Sequence, residues 1–247
     1  MSDMVIPIEI QKANGKREAF NPEKLKNSLE RSGATKEAIE RVVLEIESDL
    51  YDDMTTKEIY EKAFSILHNL EKPVANRYSL RKAVMELGPA GGAFEDLVAD
   101  ILRSQGFEAV TRQVVLGECV EHEVDVVAWN DQKLIMCEAK FHNQLGIKSD
   151  VKVALYVKAR FDDLKGNLFD YGDKKREMTE GWLITNTKFS TTAIHYGVCK
   201  NLKMIGWNYP DKGNLQDMIE ADPKLLDFVL SRGFKQSLSA EKLVEYK

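Results

Sequence analysis

The stretch "VDVVAWNDQKLIMCEAKF", Val124 to Phe141, contains two apolar segments separated by a polar turn. This pattern predicts a β-hairpin. The first segment carries an acid, Asp125, and the second carries Glu138 and Lys140 two residues apart. Because side chains alternate along a strand, Glu138 and Lys140 share one face, and Asp125 lies beside Glu138 if the hairpin register permits.

Two carboxylates that meet at a strand end repel each other unless a cation lies between them. Mg²⁺ suits such a site, because it prefers oxygen ligands and keeps positions open for water and phosphate. A metal there would polarise a phosphodiester and acidify a bound water, and Lys140 would orient that water or stabilise charge on phosphorus. The alternative is a structural ion pair of Lys140 with Asp125 or Glu138 at an exposed strand edge.

The motif "VDVVAWNDQKLIMCEAK" resembles the PD-(D/E)xK nuclease signature, with "VD" carrying the acid and "EAK" the Glu-x-Lys. The segments "FEDLVADILRSQGFEA" before it and "GWLITNTKFSTTAIHYG" after it are similar to Mrr-like type IV restriction endonuclease domains, from Phe94 to about Ile219. The resemblance implies DNA cleavage with Mg²⁺ or Mn²⁺. It makes Asp125 and Glu138 metal ligands, Lys140 the catalytic lysine and Glu95 a helix glutamate at the metal.

The N-terminal stretch "IEIQKANGKREAFNPEKL" predicts a hairpin turning at Asn14-Gly15 and a helix that begins at Asn21-Pro22. The amide groups at that helix start, together with Lys12 and Lys24, would hold phosphates. The alternative is that these lysines are solvated surface residues.

The order of these features resembles the ATP-cone domain, a nucleotide-sensing module. "MTTKEIYEKA" matches its threonine-led third helix, and "VANRYSLRKA" matches its closing Tyr78 and Arg81. The resemblance implies ATP or dATP as an allosteric ligand, bound without hydrolysis, in a homodimer or larger assembly. The nucleotide-binding residues that it implies are Lys12, Arg17, Glu18, Asn21, Lys24, Thr56 and Arg81.

The predicted fold has two parts. An α+β module, a hairpin with four helices, occupies residues 1–87, and residues 88–93 form a glycine-containing linker. An α/β nuclease domain follows over residues 94–220, where the order α-β-β-β-α-β-α-β predicts a restriction-endonuclease-like mixed sheet flanked by helices. Residues 221–247 are expected to form a helical tail.

Composition sets the remaining expectations. The 247 residues are 43% hydrophobic, the net charge is -5, and the three cysteines have no metal-ligand spacing. We therefore expect a folded cytoplasmic protein without a membrane span. His122 and His142 flank the motif and either contact phosphate or play no catalytic part. The basic residues after the motif line a phosphate groove or form a solvated helix face; they are Lys148, Lys152, Lys158 and Arg160.

The sequence thus predicts a metal-dependent DNA endonuclease regulated by ATP or dATP. One alternative is a catalytically inactive nucleic-acid-binding protein that keeps the fold. Another is a nucleotide-responsive transcriptional regulator, which would require a zinc ribbon or helix-turn-helix, and the sequence contains no Cys-x-x-Cys.

Overall fold

The computed structural model describes residues 8–12, 15–88, 92–144 and 146–231. The chain divides into two compact units, Met1–Arg81 and Lys82–Lys247. Asn14 of the predicted turn, residues 89–91 of the predicted linker and the tail from residue 232 onward lie outside the described residues.

The first unit is a two-stranded hairpin with helices, as predicted. Its elements are β1 (Glu9–Gln11), β2 (Arg17–Ala19), α1 (Pro22–Arg31), α2 (Lys36–Ser48), α3 (Thr56–Leu70) and α4 (Lys72–Glu86), the last of which contains the division between the units. Asn21 caps α1, whose first residue is Pro22, and Thr55 forms a capping box with Glu58 at α3. These caps satisfy amide groups that have no partner inside the helix.

The second unit begins with a helix, and strands alternate with helices after it. Its elements are α5 (Ala93–Ser104), β3 (Glu108–Leu116), β4 (Glu121–Trp129), β5 (Leu134–Lys140), β6 (Lys148–Ser149), α6 (Val151–Leu164), β7 (Leu168–Tyr171), β8 (Lys174–Glu177), β9 (Glu180–Thr185), β10 (Lys188–Phe189), α7 (Thr191–Cys199), β11 (Lys203–Ile205) and α8 (Leu215–Glu220). Residues 223–231 are also helical.

A five-stranded mixed sheet in the order β11-β9-β5-β4-β3 organises this unit. The pairs β3-β4 and β4-β5 are antiparallel, whereas β5-β9 and β9-β11 are parallel. The predicted mixed sheet is confirmed. Two small pairings were not predicted, the parallel β6-β10 pair and the β7-β8 hairpin.

Helices cover both faces of the sheet. Leu134 and Met136 of β5 belong to a core cluster with α6 residues such as Val157. Their neighbours Ile135 and Cys137 are also fully buried, and they point to the opposite face because strand side chains alternate. On that face α5 packs against β3, β4 and β5.

In the part of the chain that the structure describes, no helix is long and apolar enough to cross a membrane.

Candidate active site

The site lies where β4 and β5 separate. Their antiparallel ladder ends at the pair Val126–Cys137, one step before Asp125 and Glu138 would face each other. Past the end of this ladder, the amide of Ala139 donates to Oδ2 of Asp125, at 2.7 Å. Strand β5 itself stays in the sheet by pairing with β9. A carboxylate has thus replaced a strand carbonyl as the acceptor, and Asp125 lies beside Glu138.

The regular pleat of β4 changes at the same point. Val124 and Val127 are three residues apart and yet both pack in the α6-facing cluster, whereas a regular strand would turn them to opposite faces. On β3, Arg112 lies between the two residues that pair on either side of Asp125, and its φ is 54°. That left-handed backbone is uncommon for any residue except glycine. The distortion of β4 thus coincides with Asp125, whose carboxylate accepts from the Ala139 amide of β5.

Burial and neighbouring acids act on Asp125. The pKa of Asp125 is raised to about 7, first by burial and then by the charges of Glu138 and Glu95. The amide of Ala139 acts in the opposite direction. Among these carboxylates, a proton or a cation is therefore needed to neutralise Asp125 near neutral pH.

Glu138 is neutralised by an arginine from α6. Nη1 of Arg160 donates to Oε2 of Glu138, and Nη2 donates to the carbonyl oxygen of Glu123. The guanidinium therefore ties β4 to β5 just beyond the point where their ladder ends. Since the Arg160 side chain is only 9% exposed, this ion pair is shielded from water and fixes the direction of the Glu138 carboxylate.

The role of Arg160 was not predicted. The sequence suggested a phosphate groove or a solvated helix face, but its side chain is buried and bound inside the protein. The spacing of apolar residues along α6 could have predicted that Arg160 is buried. Residue 160 lies three positions after Val157 and four before Leu164, both fully buried, so it falls on the inner face of α6. A charged residue at such a position requires a buried partner.

Glu95 lies in the first turn of α5, near the same strands. The ring of its neighbour Phe94 contacts that of Phe141, with centroids 5.6 Å apart, so this turn lies against the end of β5. Oε2 of Glu95 accepts from Nη1 of Arg112 at 3.2 Å. The structure thus brings Glu95 close enough to influence Asp125 and holds it through Arg112.

The three carboxylates share one property. Each uses a single oxygen in the bonds found among the described residues, namely Oδ2 of Asp125, Oε2 of Glu138 and Oε2 of Glu95. In this described part, no three His, Cys, Asp or Glu side chains form a group that could hold a metal ion. Carboxylate oxygens are ligands that Mg²⁺ binds, with waters filling its other positions.

A cleft of about 270 Å³ gives access to this site. Its lining is mostly polar and acidic, and consists of Glu121, His122, Glu123, Asp125, Glu138, Tyr156 and Arg160. Such a lining attracts cations, and it repels phosphate unless a cation is bound.

Lys140 follows Glu138 on the same face of β5 and is exposed. The pKa of the nearby His142 is lowered mainly by burial and secondly by the positive charge of Lys140. Nε2 of His142 lies 2.9 Å from the hydroxyl oxygen of Ser149. The lysine is therefore exposed to solvent and is not among the residues that line the cleft, while the neighbouring histidine is held in the loop after β5.

His122 is bound to Asp163 at the end of α6, with 2.7 Å between Nε2 and Oδ2. This contact is the largest cause that lowers the pKa of Asp163 to about 2. Asp163 also accepts from the amide of Cys119, so it anchors the turn between β3 and β4. One ring nitrogen of His122 is thus committed to a structural contact beside the cleft.

In the first unit, three of the predicted nucleotide-binding side chains meet. Glu18 pairs with Lys12 at 2.6 Å and with Lys24 at 3.1 Å, and these two lysines lower its pKa. Arg17 does not join them, because it pairs with Asp53 at 2.6 Å. The two lysines therefore form a positive site that Glu18 neutralises.

The remaining predicted residues occupy three other places. The Asn21 side chain accepts from the amide of Glu23 as the cap of α1, and Thr56 is the first residue of α3. A bridge between Gln11 and Thr55 places the hairpin against the start of α3. Arg81 is largely buried, and burial is the main cause that lowers its pKa.

Family comparisons match both units. The ATP cone domain model matches residues 8–84, and the restriction endonuclease model of the Mrr catalytic type matches residues 90–209. An uncharacterized protein of Archaeoglobus fulgidus is 40% identical over 124 residues, which are 50% of this chain and 66% of that protein.

Two solved structures resemble the chain more loosely. AF1548, a protein of unknown function, is 36% identical, with a TM-score of 0.46 over 61% of this chain and 85% of that chain. The MspJI restriction endonuclease, solved with a 27-mer oligonucleotide, is 13% identical, with a TM-score of 0.32 over 80% of this chain and 44% of that chain.

The raised pKa of Asp125 predicts a pH-dependent stability of the metal-free protein. The carboxyl titrates near 3.8 when unfolded and near 7 when folded, so stability falls as the pH rises between these values. Asp125→Asn keeps an acceptor for the Ala139 amide and removes the charge. In EDTA at pH 8 we expect the variant to be more stable than the parent in urea denaturation, by up to about 4 kcal/mol.

At pH 4 this advantage should disappear, because the parent carboxyl is then protonated. Asp170→Asn, at an exposed position on β7, serves as the control and should show no such pH dependence. An Asp125→Asn effect of the same size at both pH values would contradict the assigned cause.

Proposed function

The chain belongs to the restriction endonuclease family of Mrr type, with an ATP cone domain preceding the catalytic domain, and we propose that it is a metal-dependent DNA endonuclease regulated by a bound nucleotide. The observation that carries the proposal is the placement of Asp125 and Glu138 side by side where β4 and β5 separate, with Lys140 two residues further on the same face. DNA is the proposed substrate.

The metal is proposed to be Mg²⁺ or Mn²⁺, held by the second oxygens of Asp125 and Glu138, with Glu95 binding one of its waters. When bound, such an ion polarises the phosphate and lowers the pKa of a bound water. The charges around Asp125 support this assignment, because the nearby Arg160 is paired with Glu138 and two neighbouring acids raise the pKa of Asp125.

Each side chain then has a defined task. Lys140 donates hydrogen bonds to the attacking water or to a phosphate oxygen, where its charge stabilises the charge that develops on phosphorus. Arg160 keeps the Glu138 carboxylate directed into the cleft, and the Ala139 amide does the same for Asp125. Preorganisation of this kind favours the transition state without rearrangement during the reaction.

We propose that the first unit binds ATP or dATP through the phosphates. The observation in support is the meeting of Lys12 and Lys24 at Glu18 beside the capped start of α1. A triphosphate would replace Glu18 as the partner of both lysines, with Asn21, Thr56, Arg17 and Arg81 as the other proposed contacts. Since a separate module lacks the carboxylates of the nuclease site, its proposed effect is on assembly or cleavage rate, in a homodimer or larger oligomer.

Loss of the acidic pair or of the lysine should abolish DNA cleavage. We expect Asp125→Ala, Glu138→Ala and Lys140→Ala each to reduce the cleavage rate at least about 10²-fold, since each removes one preorganised charge. The assay uses plasmid, single-stranded and modified DNA with Mg²⁺ or Mn²⁺. Glu177→Ala, which removes an exposed acid on β8, is the matched control and should retain full activity. Full activity in any of the three variants would contradict the assignment of that residue to the nuclease site.

Nucleotide binding should depend on the two lysines of the first unit. Calorimetry on the intact protein should show ATP or dATP binding without release of phosphate, and Lys12→Ala/Lys24→Ala should weaken it at least about 10-fold, because two phosphate contacts are lost. The control Lys36→Ala/Lys57→Ala removes two exposed lysines from other helix starts.

Sizing and cleavage are measured in parallel with the calorimetry. If neither nucleotide binds the parent protein, the ATP cone does not act as a sensor here. If a nucleotide binds and neither assembly nor cleavage responds, the regulatory part of the proposal is wrong.

A further inference from the structure

Arg112 has an unfavourable backbone in the middle of a strand. Its φ of 54° is left-handed, although β3 continues on both sides of it and pairs with β4. A non-glycine residue in this region costs on the order of 1–3 kcal/mol and persists only where its surroundings impose it. The β3–β4 pairs on either side of it are the pairs that flank Asp125 on β4. The distortion therefore lies within the candidate site.

The distorted backbone allows the Arg112 side chain to reach α5. Its Nη1 lies 3.2 Å from Oε2 of Glu95, and its Nη2 lies 2.9 Å from Oδ1 of Asp96. One guanidinium thus holds two consecutive acids in the first turn of that helix. The contact fixes Glu95 through a single oxygen and leaves the other one available.

The start of α5 is shaped to admit this guanidinium. Gly92, the cap residue of the helix, has a φ of 85° and makes no side-chain capping bond. A Cβ atom at this position would lie 2.3 Å from Nη1 of Arg112. Any larger residue would displace the arginine, so the glycine and the distorted arginine are complementary parts of one arrangement.

We propose that Arg112 is a positioning residue that fixes Glu95 at the metal site and thereby strengthens cation binding. The inference rests on the proposed metal-dependent nuclease. It assigns Arg112 no contact with substrate. Its effect passes through Glu95, whose free oxygen would otherwise move with an exposed helix terminus. The ion pair between Arg112 and Glu95 offsets the strain of the β3 backbone at Arg112.

Charge repulsion alone and the loss of positioning predict opposite changes in cation affinity when Arg112 is removed. Removing a nearby positive charge should raise the affinity for a cation if charge repulsion were the only effect. Loss of a residue that orients the carboxylate holding one of the metal's waters should lower this affinity, by about 10-fold or more. The two effects therefore have opposite signs.

The experiment measures Mn²⁺ binding by calorimetry and thermal unfolding in EDTA for the full chain and for Arg112→Gly and Arg112→Asn. Both substitutions accept a left-handed backbone. We expect Mn²⁺ affinity to fall about 10-fold, while the melting temperature in EDTA stays equal to or above that of the parent. Asp173→Gly, which relieves a φ of 60° in the turn between β7 and β8, is the matched control and should leave Mn²⁺ affinity unchanged.

A double-mutant cycle separates positioning from a merely structural role. Glu95→Gln/Arg112→Gly should bind Mn²⁺ no more weakly than Glu95→Gln alone, because Arg112 acts only through Glu95. Unchanged or increased Mn²⁺ affinity in Arg112→Gly would overturn the inference and leave the proposed nuclease standing. Additive losses in the double variant would also overturn it. Absence of Mn²⁺ binding to the parent protein would instead contradict the proposed metal site itself, and the inference with it.

Discussion

The hydrogen bond from the Ala139 amide to the Asp125 carboxylate is the interaction on which the site depends. It forms because the pairing of β5 with β4 ends just before this point, whereas β5 goes on pairing with β9. An amide of β5 therefore has no carbonyl acceptor on β4. A buried amide without a partner is costly, and the aspartate satisfies it. The same bond directs the carboxylate toward Glu138, so the requirement of the backbone also assembles the acidic pair.

Charge balance explains the surroundings of this bond. Three carboxylates lie near the end of the ladder, and in the metal-free protein two of them pair with an arginine and the third does not. Glu138 has Arg160, Glu95 has Arg112, and Asp125 takes up a proton near neutral pH. Each guanidinium binds only one oxygen of its acid, and the acid remains able to bind a cation. The arrangement is consistent with a site that is stable without metal and ready to receive it.

The sequence predicted the main sheet because its long strands have clear apolar patterns. β4 and β5 have nine and seven residues, and the Asp125–Glu138 neighbourhood follows from the register of their hairpin. β6 and β10 have two residues each, too short to produce a periodic pattern. The role of Arg112 was beyond prediction, since its effect depends on a backbone distortion and on Gly92 of another element. The burial of Arg160 was predictable, because residue 160 falls on the inner face of α6.

The most direct measurement of the central claim is the position of bound Mn²⁺ in crystals of the full-length protein, located by anomalous scattering. The account predicts one peak between the free oxygens of Asp125 and Glu138, at about 2.1 Å from each, with the Arg160–Glu138 and Arg112–Glu95 contacts retained. A crystal saturated with Mn²⁺ that shows no peak there, or one only at other residues, would contradict the account.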